Sequence, residues 1–130
     1  MNRMAQIYGA EYIGDKMKLF MYLLLLSIPH FAMSAIGDKV TTQSFVVKEV
    51  RVQLYNNDAF YYFVPQGSDW SAPNCPAAAY AYIKESQAGA QAILSVALTS
   101  KTTNTPVRFT GTCGDISGSP GYIGITDIIM

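Results

Sequence analysis

Cys75 and Cys113 are the only cysteines of this chain, and both lie downstream of a segment built like a secretory leader. Cytosolic thiols stay reduced, whereas an exported chain with an even cysteine count pairs them. The sequence therefore implies a Cys75–Cys113 disulfide and a protein that works outside the cytoplasm. Any fold has to bring those two positions together.

The leader begins at Met17 with Lys18, followed by an apolar run from Leu19 to Ile28. Pro29 breaks the run, and Ala32-Met33-Ser34 puts small residues at the two positions that a signal peptidase reads. A basic start, a short apolar core and a small-x-small exit are the parts of a secretory signal. Cleavage after Ser34 fits best, with Ala35 as a neighbouring option. Glu11 and Asp15 sit oddly in a positively charged leader, so residues 1–34 read as an over-extended start plus the signal, with translation beginning at Met17. The run is short for a membrane span of ~20 residues, and Pro29 and His30 interrupt it, so no stable anchor is expected. The protein is expected to be secreted or periplasmic.

From Ala35 onward six basic residues stand against seven acidic ones, a net charge of −1. Nucleic acids are gripped through a basic stripe, which this charge pattern lacks, so no nucleic-acid partner is expected. Residues 35–130 form one small domain. A domain of that size buries a modest part of its surface and leans on a covalent staple or an oligomeric partner.

Residues 44–55 alternate, with Val46, Val50, Val52 and Leu54 on one face and Glu49, Arg51 and Gln53 on the other, Lys48 being the exception. That is a half-buried strand. Asn56-Asn57-Asp58 is turn chemistry. Residues 59–64 read as a strand apolar on both faces, covered by a core on one side and a possible partner on the other. Residues 66–76 are a polar loop holding Trp70. Residues 77–84 are ambiguous: alanine favours helix, but Tyr80 and Tyr82 alternate with Ala79, Ala81 and Ile83, and we read a third strand.

Ala90, Ile93, Leu94, Ala97 and Leu98 then mark the stripe of an amphipathic helix. Ser86 can cap its start, Lys101 suits its negative end, and Asn104 with Pro106 stops it. Its back carries Val96 with the small residues Gly89, Ala92, Ser95 and Ser100 and few charges. Gly89, Ala92 and Val96 are therefore oligomer-interface candidates. Residues 107–113 and 122–130 read as two more strands. The fold class is mainly β with one helix, a small five-stranded OB-like barrel in the order β-β-β-α-β-β, stapled by one disulfide.

Small size, a signal peptide, one disulfide, this strand order and the mid-chain helix resemble the B subunits of AB5 toxins. The nearest branch is that of the subtilase-cytotoxin and pertussis-like toxins. There the helix precedes a strand much as residues 91–98 precede Val107-Arg108-Phe109-Thr110 here. The resemblance implies a glycan-binding module, a homo-oligomer in the form of a pentamer, and a catalytic partner subunit. It carries over no sugar-contacting residue, because no stretch here is a diagnostic motif.

Catalysis is not expected. The sole histidine, His30, lies in the leader, and the bridge consumes both thiols, which leaves no imidazole base, zinc ligand or thiolate nucleophile. Asp69 and Asp115 read as scattered surface acids rather than a glycosidase pair. No metal or cofactor is expected. Tyr61, Phe63, Tyr80 and Tyr82 resemble a base-stacking platform, but with no basic residues between them they read as core or interface. The ligand-binding candidates are Trp70 with Asp69, Ser71 and Asn74, an aromatic face with short polar side chains at its rim. Against this stands the reading in which Trp70 packs over the disulfide and plugs the barrel end. Tyr55, Tyr61 and Tyr122 are weaker candidates. The alternative function is a small periplasmic protein-binding, inhibitor or accessory subunit of a secreted assembly.

Overall fold

Residues 47–65 form a long hairpin, whose first strand alternates and whose second is apolar on both faces, and the rest of the domain is built around it. In the computed structural model residues 36–130 are described; the leader, its cleavage site and His30 lie outside them. The strands are β1 (Lys39–Thr41), β2 (Val47–Tyr55), β3 (Asp58–Pro65), β4 (Tyr80–Lys84), β5 (Arg108–Cys113) and β6 (Tyr122–Ile129), with helix α1 (Ala90–Thr103) between β4 and β5. Asn56 and Asn57, both at positive φ, form the two-residue connection of β2 to β3. Asparagine tolerates that backbone where most residues do not.

The six strands make one sheet in the order β1-β5-β6-β4-β3-β2. All pairs are antiparallel except β4 with β6. β1 and β2 lie at opposite ends of that order yet follow one another in the chain. Residues between them hold to β5 and to the residue before it: Thr42 N–H donates to Phe109 O, and Phe45 exchanges bonds with Val107. The chain thus carries the sheet around, but no ladder joins β1 to β2, and "barrel" describes it loosely. The three-residue strand β1 is too short to show a period, which is why alternation does not reveal it.

Lys48 ceases to be an exception in the structure. It occupies a bulge between Val47 and Glu49, which turns both Val47 and Val50 toward the core. A bulge places two residues opposite one and leaves backbone groups unpaired. Here the buried Ser100 hydroxyl accepts the Val47 N–H at 3.1 Å, and Lys101 Nζ donates to Lys48 O at 2.7 Å.

The buried stripe of α1 is Ala90, Ile93, Ala97 and Ser100, flanked by the partly buried Leu94 and Val96. Leu98, expected in the stripe, is exposed. Ser100 and Val96, expected on the solvent side, face inward, because the bulge in β2 recruits the Ser100 hydroxyl and rotates the helix toward it. Gly89, in left-handed conformation, takes the N-cap position instead of Ser86, and Asn104 ends the helix as expected.

Cys75 and Cys113 are bonded, with Cα atoms 5.6 Å apart and a sequence separation of 38. Closing a loop of that length contributes roughly 4 kcal/mol in the chain-entropy model. Both sit in the core with Phe63, Trp70, Phe109, Ile83, Ile123 and Ile125.

Candidate functional site

Trp70 is fully buried, so the sequence-based expectation of an exposed ring is corrected. Its Nε1–H donates to Phe63 O at 3.0 Å, and its edge meets Phe109 at 4.8 Å between ring centres. An indole surrounded in this way belongs to the core and has no face left for a ligand. Asp69 is engaged beside it: Oδ1 accepts the Ser71 N–H at 2.7 Å and the Ser71 hydroxyl at 3.0 Å. Ser71 holds φ +47° within that turn. Asp69 and Ser71 therefore organise the loop, and Asn74 stands exposed nearby in sequence.

The surface aromatics lie elsewhere. In β3, Tyr61 and Phe63 point into the core, so alternation sends Phe60 and Tyr62 to the outer face. Register sets Tyr62 opposite Tyr82, and Tyr80 opposite Tyr122. The rings pack as a continuous layer, with Tyr62 and Tyr82 at 6.0 Å, Tyr62 and Tyr122 at 6.1 Å, and Tyr80 stacked on Tyr122 at 5.3 Å. A Cβ on Gly124 would come within 3.2 Å of the Tyr82 hydroxyl, so a glycine opposite Tyr82 leaves room for its ring. Arg51, on β2, lies over Tyr80 at 5.5 Å and donates to its hydroxyl at 3.2 Å. Glu49 pairs with the same guanidinium.

At one end this layer opens into a cleft of about 200 Å³. Phe60, Tyr62, Tyr82 and Tyr55 wall it, and Gln53, Asp115, Ile116 and Ser117 form its rim. The rim loop is tied by Asp115, whose Oδ1 accepts the Ser117 N–H at 2.8 Å, the Ser117 hydroxyl at 2.6 Å and the Ser119 N–H at 2.8 Å. Desolvation opposes ionisation of Asp115, but the bonds from Ser117 and Ser119 outweigh it and hold its pKa below the ordinary value. Burial pushes the Tyr62 phenol up, helped by Tyr122 and Asp115. Tyr82 is raised by burial, then by Asp115 and Tyr62. The cleft thus offers ring faces, the hydroxyls of Tyr55, Tyr62, Tyr82 and Ser117, an amide and one carboxylate.

Sequence reasoning named Tyr55, Tyr80, Tyr82 and Tyr122 but not the cleft, and it missed Gln53, Phe60, Tyr62 and the Asp115–Ser117 rim as a group. The usable signal was that β3 is apolar on both faces. What brings its outer residues to Asp115 is strand register, which alternation does not specify. Asp69 and Asp115 each serve their own loop. Of the interface candidates, Gly89 and Ala92 are exposed, while Val96 is half-buried against the core. Exposed aliphatic side chains include Val52 at 64% and Leu54 at 79% on the hairpin, Ile116 at 73% on the cleft rim, and Leu98 on the helix.

No protein-family model matches this chain, and no curated protein does. Among solved structures, a chain from the structural description of subtilase cytotoxin assembly is similar in architecture. The two share 13% identity with a TM-score of 0.46, over 62% of this chain and 70% of that chain.

Proposed function

We propose that this chain is an exported, non-catalytic recognition module that binds a glycan in the outer aromatic cleft. The observation that carries the reading is the cleft itself. Sugars present C–H faces that lie against aromatic rings and hydroxyls that need polar partners, and pockets of this kind combine apolar walls with a few placed polar groups. Phe60, Tyr62 and Tyr82 supply the walls, and Gln53, Asp115 and Ser117 supply the partners. A cleft of about 200 Å³ suits a single sugar ring rather than a larger ligand. The leader, the bridge and the strand order support the finer proposal of a B-subunit-like component of a secreted toxin. In that proposal the protein is a homo-oligomer, a pentamer, working with a catalytic partner subunit.

A glycan array tests the reading. Wild-type protein is expected to give hits that the Gln53→Ala/Tyr55→Ala variant loses while its melting temperature holds, since both residues are exposed. An array without wild-type hits contradicts it. The exposure of Val52 and Leu54 favours a second reading, in which the hairpin docks on a protein partner as an inhibitor or accessory subunit would. Capture of one defined partner that Leu54→Lys abolishes, together with a blank array, would support that reading.

A further inference from the structure

We infer that the cleft selects its ligand by charge, accepting sugars that are neutral or bear an ammonium group and disfavouring those that bear a carboxylate. This deepens the glycan reading and rests on it. Asp115 is the one formally charged residue among those that line the cleft. Its three loop bonds all fall on Oδ1, none of them on Oδ2. The two ion pairs among the described residues flank the cleft and leave Asp115 out. Arg51, two positions before Gln53 on β2, is paired with Glu49, and Lys84, opposite Phe60 in register, is paired with Asp58 at 2.6 Å.

A carboxylate entering the cleft therefore meets a like charge, while the flanking cations are already engaged. The ring faces act in the same direction. Aromatic faces carry the negative lobe of the ring quadrupole, which attracts ammonium groups and not carboxylates. Phe60, Tyr62 and Tyr82 wall the cleft beside Asp115, so the rings and the acid favour the same ligands.

Three probes of one ring shape and different charge separate the possibilities: methyl glucoside, methyl glucosaminide as its ammonium form, and methyl glucuronide. Each is titrated at neutral pH while the ring resonances of Tyr62 and Tyr82 are followed. The glucuronide is expected to bind about fivefold to tenfold more weakly than the glucoside, and the glucosaminide at least as tightly as the glucoside. Asp115→Asn keeps the side-chain oxygen that ties the loop and removes the charge. It is expected to narrow the spread to about twofold while the Ser117 and Ser119 amide shifts hold. A glucuronide that binds as tightly as the glucoside overturns the charge rule and leaves the glycan reading standing. An Asp115→Asn protein that folds and keeps the full spread also overturns it. If that variant loses its loop, the wild-type order decides alone. No response to any probe overturns both readings.

Discussion

Trp70 shows how far a local reading reaches at the scale of one residue. Flanked by Ser68, Asp69 and Ser71, it has the surroundings of an exposed ring, yet Phe63, Phe109 and Phe45 enclose it. Phe45 and Phe109 come from segments distant in sequence, so its neighbours alone could not reveal its burial. Trp70→Ala is expected to lower stability by about 3–5 kcal/mol, as removal of a buried aromatic does, measured by denaturant unfolding. A loss under about 1 kcal/mol would contradict its place in the core. Asp115 has a consequence in pH. Because its folded pKa lies below the ordinary value, its contribution is fully present above the unfolded pKa and is lost as pH falls through the folded one. On acidification the Ser117 and Ser119 amide resonances are expected to move together with a midpoint below the ordinary aspartate range. A midpoint at or above that range would contradict the Asp115 hydrogen bonds.

Among the elements, the long strands were legible for different reasons: β2 by its alternation, and β3 as an aromatic run bounded by turn residues and a proline. The helix was legible in position but not in rotation. Ala, Ser and Val at its back give no strong hydrophobic contrast, and the bulge at Lys48 decides which side turns inward. The sheet also depends on one close approach that no pattern announces. A Cβ on Gly111 would lie 2.1 Å from Gly124 O, where β5 shifts register against β6. Gly111→Ala must push the two strands apart and is expected to destabilise the domain by several times the ~1 kcal/mol of an ordinary substitution. A melting temperature within a degree of wild type would contradict the approach. Cys75→Ser is expected to cost about 2–5 kcal/mol, read in the same unfolding assay.

For the whole molecule, the bridge and the order of every strand but β1 were visible in sequence, while the place where outer aromatics meet a polar loop was not, since it depends on β4 pairing in parallel with β6. The exposed Val52 and Leu54 belong to this scale as well, as the surface that a second copy would cover in the proposed homo-oligomer. Native mass measurement of the purified protein is expected to show an oligomer that Leu54→Lys dissociates without unfolding it. A monomeric wild type at micromolar concentration contradicts self-association. The central claim is that recognition happens in the outer cleft. Mapping chemical-shift changes in labelled protein, on titration with a glycan that binds on the array, tests it most directly. The account predicts shifts centred on Gln53, Tyr55, Tyr62, Tyr82 and Ser117; shifts centred on Asp69, Ser71 and Asn74, with the cleft unmoved, would contradict it.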